Sequence, residues 1–239
     1  MKAIFKTLML GAAAFCTLQV HAQTAEELVK KHIDAVGGAA NWQKVNSMKQ
    51  SGTLTMQGMP IEVTLTKLNG KGYRQDLNIM GMENYIIMTP TGGWMFFPIQ
   101  QQTEPKELTA DDVKNSTDEM STQEDFLIYQ AAGDKITAEG KETVEGKEYL
   151  KLNVAHKNGG ATTVYMDPAT YYTYRTVSTV KGEDGDEHEV ATTYTNYKKL
   201  PEGVVVAMNI ESDAIGGALE IKNVEINTVK DESIFQVKK

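Results

Sequence analysis

The spacing of apolar residues changes period twice along this chain. In TAEELVKKHIDAVGG, residues 24–38, Leu28, Val29, Ile33 and Val36 recur at helical spacing. Thr24 with Glu27 three residues on makes a capping box, and Gly37-Gly38 stops the helix. AANWQKV, residues 39–45, adds a further turn with Trp42 and Val45 turned inward.

The period then falls to two. Leu54 and Met56 share one face of SGTLTMQ, and Ile61, Val63 and Leu65 oppose Glu62, Thr64 and Thr66 in IEVTLTKL. Turn signals recur at Gly58, Asn69-Gly70, Gly81 and Gly92-Gly93, which predicts hairpin-connected strands. Alternation with one polar face marks an antiparallel sheet packed on one side.

Residues 109–133, TADDVKNSTDEMSTQEDFLIYQAAG, break the alternation. Thr109 with Asp112 and Ser121 with Glu124 are helix-start signals, and Phe126, Leu127 and Gln130-Ala131 suit a short amphipathic helix ending at Gly133. The strands then resume, with turns at Glu145-Gly146, Asn158-Gly159, Asp167-Pro168, Asp184-Gly185 and Gly216-Gly217. The count is about eleven or twelve strands with two helical insertions and no Pro- or Ser-rich linker. That predicts one mainly β domain over residues 23–239, a large curved antiparallel sheet with helices across one face.

Composition narrows the function. A net charge of −8 argues against nucleic acid and against a polybasic membrane patch. Lys2 and Lys6, the apolar run Leu8 to Phe15 and VHA before Gln23 read as a secretory signal peptide over residues 1–22. Its removal takes the charge to −10 and removes Cys16, the only cysteine. Phe15 stands where a lipobox needs a small residue, so Cys16 is read as part of the signal rather than a lipidation site. An exported, cysteine-free chain is expected, with neither disulfides nor thiol chemistry.

Catalytic and metal signatures are missing. There is no nucleophile elbow, zinc-binding His pair or phosphate-binding glycine loop, so no enzyme, cofactor or metal is expected. His32 reads as a partly buried structural histidine, and His156 precedes a hairpin turn. EDGDEHE, residues 183–189, lacks the spacing of a calcium loop and reads as a solvated acidic turn. Asp111-Asp112 and Glu124-Asp125 read as helix-start charges, not catalytic pairs.

The stretches NIMGMENYIIM and GGWMFFPIQ, residues 78–88 and 92–100, concentrate soft apolar side chains. Ten of the twelve methionines follow the signal segment. Methionine adapts to shapes it does not dictate. A curved sheet with few helices leaves a hollow for an apolar ligand. The expected lining is Met56, Ile61, Val63, Leu65, Met80, Met82, Ile86, Met88, Trp94 and Phe96 from the strands, with Phe126 and Tyr129 from the helical insertion.

ENYIIMTPTGGWMFFPIQQQTEP, with Trp94, Phe96 and Pro98, resembles the aromatic stretch of the periplasmic lipoprotein carriers, the LolA-like outer-membrane lipoprotein-sorting family. NGKGYRQDL resembles that family's arginine-bearing strand, and AEELVKKHIDAVGGAANWQKVNSMKQSGTLTMQGM resembles the opening of its Bacteroidetes-type variant. The resemblance implies an incomplete antiparallel β-barrel, a half-barrel of about eleven strands with a helical lid. It implies periplasmic carriage of the acyl chains of lipids or lipoproteins destined for the outer membrane, with a membrane-protein donor or acceptor and possible outer-membrane association. In that family an early-strand arginine latches the lid. Here the only arginines are Arg74 and Arg175, and the early strand reads SGTLTMQG. Two alternatives stand beside the carrier: a sensor or regulatory adaptor for hydrophobic signals with a membrane-protein partner, and a structural domain whose hollow is plain core. A monomer is expected.

Overall fold

The computed structural model describes residues 23–181 and 187–237. The signal segment with Cys16 and the turn at Asp184-Gly185 lie outside the described residues.

The first helix, α1 (Ala25–Ala35), starts at the expected capping box, with Thr24 and Glu27 each accepting from the other's backbone N–H. A single turn, α2 (Ala39–Trp42), follows, with Trp42 and Val45 buried. The first hairpins comprise β1 (Ser47–Met56), β2 (Met59–Leu68), β3 (Gly72–Ile79), β4 (Met82–Thr89) and β5 (Gly92–Phe96). Then come β6 (Lys106–Glu107), α3 (Ala110–Asn115) and α4 (Asp125–Ala132). The second run holds β7 (Lys135–Val144), β8 (Lys147–Ala155), β9 (Ala161–Met166), β10 (Thr173–Lys181), β11 (Glu187–Lys199), β12 (Val205–Ser212) and β13 (Gly217–Ile226).

The thirteen strands among the described residues form one sheet in the order β6-β5-β4-β3-β2-β1-β13-β12-β11-β10-β9-β8-β7, and the paired strands run antiparallel. The first and last strands therefore meet in the middle. The two sheet edges, β6 and β7, are consecutive in sequence and do not pair. The chain between them must cross from one edge to the other, which carries α3 and α4 over the open side. The result is the expected half-barrel with a helical lid. The extra strand beyond the sequence count is β6, only two residues long.

Two expected signals fall differently. The α4 helix is capped by Glu124, whose carboxylate accepts from Phe126 and Leu127 N–H, and not by Ser121. The turn before β5 is Pro90-Thr91, while Gly92 and Gly93 lie in the strand. A Cβ on Gly93 would sit 2.8 Å from Leu108 Cδ1, so this glycine admits the chain leading into α3.

Alternation sorts the central strands into two faces. Met48, Gln50, Leu54 and Met56 of β1 share the concave face with Ile61, Val63, Leu65 and Lys67 of β2, by the pairing Met48–Lys67 through Leu54–Ile61. The concave face carries the core, and the C-terminal segment covers part of the convex face. On the concave side the core runs from Trp42 and Val45 across Leu54, Ile61, Val63, Met208 and Leu219. A neighbouring cluster packs α1 and Phe126 onto Leu150, Leu152, Val154, Val164 and Met166. On the convex side Phe235 is 2 % exposed, held where a Cβ on Gly72 would meet its ring at 2.5 Å.

Candidate functional site

The register places seven of the twelve expected site residues on the concave face: Met56, Ile61, Val63 and Leu65, then Met82, Ile86 and Met88 through the pairings Leu65–Gln75, Gln75–Ile86 and Tyr73–Met88. Ile61, Val63 and Met88 are buried, while Met56, Leu65 and Ile86 are half-buried and Met82 is exposed at the rim. Met95 and Phe97 continue this face, Met95 opposite Ile86. Trp94 and Phe96 alternate with them and fall on the convex face. There Trp94 shares a groove with Phe235, and Phe96 meets the Tyr85 ring at 5.5 Å. Met80 stands at the β3–β4 turn, 79 % exposed. Phe126 is buried against α1 and β8, with the Tyr129 ring 5.8 Å away.

A cavity of about 210 Å³ lies between the concave sheet and the entry to α4. Trp42, Met48, Val205, Val206 and Ile210 supply its apolar wall, with Gln50, Lys67, Tyr194 and Tyr197 beside them. Ser121 to Asp125 form its roof. None of the twelve expected residues lines it; of its apolar wall the sequence singled out only Trp42, as a residue turned inward. Larger grooves flank Trp94, one of about 870 Å³ lined by Trp94, Phe235 and Val237 together with Pro90, Thr91, Glu104, Glu107 and Glu232.

The roof is held by a small set of polar bonds. Thr122 Oγ1 donates to the Val45 carbonyl, and Gln123 Nε2 donates to the Trp42 carbonyl at 3.1 Å. Thr122 N–H donates to Asn69 Oδ1 at 3.2 Å. The fourth tie is ionic: His32 of α1 faces Glu124, the cap of α4, at 2.8 Å, with both side chains buried. His32 Nδ1 lies 2.7 Å from the Tyr171 carbonyl, which can only accept, so Nδ1 carries a proton. Nε2 then meets a carboxylate oxygen and needs a proton of its own between them. Burial disfavours the charged ring. The hydrogen bond to Glu124, the charge of Glu124 and the Tyr171 carbonyl together outweigh it and hold the His32 pKa above 6.5.

Asp125 behaves differently. Its residue surface is exposed and part of it lines the cavity, and no described residue donates a hydrogen bond to it. Desolvation, then repulsion from Glu124, push its pKa up to about 6 against the pull of Lys67 and His32. Because the exposed surface of Asp125 reaches solvent, this push is weaker than burial in solid protein would give. Desolvation also raises Tyr194 to about 12, keeping its hydroxyl protonated.

The arginines do not latch the roof. Arg74 is bound to Asp76 on the convex face and donates to the Ile234 carbonyl at 2.9 Å. Arg175 faces Glu145 at 3.8 Å.

One arrangement escaped the sequence. His156 Nδ1 lies 2.7 Å from Asp134 Oδ2, and its Nε2 lies 2.9 Å from Thr162 Oγ1, which in turn meets Ser178 Oγ at 2.9 Å. The order acid, imidazole, hydroxyl is that of a hydrolase triad. Thr162 is 4 % exposed, so in this conformation the hydroxyl is out of a substrate's reach, and the chain of bonds ties β7, β8, β9 and β10 together. Among the described residues no group of three or more His, Cys, Asp or Glu side chains is placed to hold a metal ion. No described helix is long and apolar enough to cross a membrane.

No protein-family model matches the sequence, and no curated protein matches it. Solved structures do. The fold is similar to that of a LolA superfamily protein from Nitrosomonas europaea, 12% identical, with 90% of this chain and 99% of that one covered at a TM-score of 0.56. A putative outer membrane lipoprotein-sorting protein domain from Vibrio parahaemolyticus is 15% identical, with 88% and 97% covered and a TM-score of 0.53. A DUF1329 family protein from Desulfovibrio piger is 9% identical, with 89% and 97% covered and a TM-score of 0.54. The architecture is thus shared with these solved structures, a likeness of fold and not of sequence.

Proposed function

We propose that this chain is a periplasmic binder and carrier of lipid acyl chains, taken up on the concave face beneath the roof at residues 121–125. One observation carries the reading. The concave face offers half-buried adaptable side chains, Met56, Leu65, Ile86, Met95 and Phe97, next to a roofed cavity of about 210 Å³. That volume is below the roughly 300–1,000 Å³ of ligand pockets, so a chain enters only when the roof lifts. Each methylene moved from water to this face contributes about 0.8 kcal/mol, so one chain suffices for useful affinity without a polar contact.

The Vibrio parahaemolyticus protein is named for lipoprotein sorting, which supports the acyl part of a lipoprotein as the finer assignment of cargo. The carrier acts as a monomer that receives its cargo from one membrane protein and gives it to another. No step of this role calls for catalysis or a cofactor.

The test is native mass spectrometry of the exported protein together with hydrogen exchange. An acyl-bearing mass should co-purify. Amides of α1 and of residues 116–132 should exchange faster than β1, β2 and β13, and slow when lipid is bound. A lipid-free protein whose helices are as protected as its sheet would contradict the proposal.

A further inference from the structure

Among the described residues the exposed large apolar side chains are Met59, Met80 and Met82. They gather in one place. Met56 pairs with Met59 and Ile79 with Met82, which closes the β1–β2 and β3–β4 hairpins at the same end of the sheet. Ser212 with Gly217 closes the β12–β13 hairpin beside them, with Ile215 at its tip packed on the core. The roof is tied to Val45 and Asn69, at the other end of β1 and β2. The methionines therefore form a lip at the end away from the roof, continuous with Met56 on the concave face.

A row of carboxylates runs beneath this lip on the convex face. The register sets Glu83 opposite Asn78, Asn78 opposite Glu62, Glu62 opposite Thr53, and Thr53 opposite Glu220. All three glutamates are exposed, and none is in an ion pair among the described residues. Lys222 Nζ reaches Thr53 Oγ1 at 2.8 Å and offsets part of the charge. Residues 53–62, 77–85 and 209–220, which build the lip, add Glu211 and Asp213 and hold no lysine or arginine.

Neighbouring strands lie about 4.8 Å apart, so the hairpin tips and the glutamates of the row both recur at about 10 Å. Seven residues of α-helix rise about 10.5 Å. A helix lying across the tips presents side chains seven apart to successive hairpins, apolar ones to Ile215, Met59 and Met80, and basic ones to Glu220, Glu62 and Glu83. Methionine is suited to a surface that adapts to its partner. The acidic row repels an anionic leaflet, and a neutral leaflet offers it no cation to pair with. We infer that this lip docks a basic amphipathic helix of a protein partner. The surface is read from exposure and charge; it goes beyond the proposed acyl binding and does not need it.

The experiment titrates the exported protein into labelled synthetic helical peptides with leucine at heptad positions, flanked by lysine in one peptide and by glutamate in the other. Fluorescence anisotropy should show the lysine peptide binding, and the glutamate peptide binding at least about tenfold more weakly, with the gap closing as salt is raised. Met59→Gln together with Met80→Gln should weaken the lysine peptide roughly tenfold. Glu62→Gln with Glu83→Gln and Glu220→Gln should erase the charge preference. Neither set of changes should alter binding of a fluorescent fatty-acid probe, which reports on the acyl role separately. Lysine-peptide binding that ignores the methionine changes is diffuse attraction to an acidic protein and overturns the inference. A lip that binds neutral phosphatidylcholine vesicles through Met59 and Met80, and not the peptide, overturns it too, because it is then a membrane contact. Peptide docking at the lip without fatty-acid binding upholds the inference and removes the acyl reading.

Discussion

His32 Nε2 and Glu124 Oε1 lie 2.8 Å apart, buried, and join the first helix to the cap of the lid helix across 92 residues of sequence. Glu124 serves two helices at once, because its other oxygen accepts from Phe126 and Leu127 N–H. The early strand offers no arginine for the latch that the family resemblance implied; this pair instead joins the first helix to the lid. Replacing His32 with Ala strands a buried carboxylate, and losses of about 3–5 kcal/mol are usual when one partner of a buried pair is removed. The loss should appear first as faster exchange in α4, ahead of β1 and β13.

The same pair sets a pH dependence. The folded-state pKa of His32 is raised, so its stabilisation is complete below 6.5 and is lost as pH rises through the raised value. Thermal stability of the unsubstituted protein should therefore fall over that window more steeply than that of His32→Gln. Parallel pH profiles would show that the pair contributes nothing.

Phe235 should prove to be the anchor of the C-terminal segment. It is 2 % exposed against Gly72, and Arg74 holds the adjacent Ile234 carbonyl. Phe235→Ala should cost about 3–5 kcal/mol in denaturant unfolding. Gly72→Val should displace the ring and cost a similar amount without touching Phe235.

Two methionines of the same hairpin separate rim from core. Met88 is 6 % exposed and packs on Tyr73 and Met120, so Met88→Ala should cost about 2–5 kcal/mol. Met80, 79 % exposed at the turn, should change stability by less than about 0.5 kcal/mol when replaced by Gln. Urea midpoints of the two variants check both expectations.

Much of this architecture was legible because the signals are local. The capping boxes at Thr24 and Thr109 and the glycine turns need only neighbours within three or four residues. The faces of β1 and β2 were legible because each alternates apolar with polar. GGWMFFPIQ hid its faces for a physical reason: β5 is covered on both sides, by Phe235 near Trp94 and by the concave core at Phe97. A strand buried on both faces carries no alternation to read. The pair His32–Glu124 and the chain Asp134–His156–Thr162 join residues far apart in sequence, and no spacing rule announces them. Strand β6 is too short for any pattern.

The chain holds two tryptophans, one on each face of the sheet. Trp42 lines the roofed cavity, and Trp94 lies in the convex groove beside Phe235. The most direct test of acyl binding beneath the lid is quenching by a fatty acid brominated along its chain, measured in Trp94→Phe, where only Trp42 emits. The account expects saturable quenching of Trp42, a larger fraction of the emission than in the unsubstituted protein, where Trp94 on the other face stays bright. Binding that leaves Trp42 emission unchanged, with quenching seen only while Trp94 is present, would contradict it and put the chain in the groove on the other face.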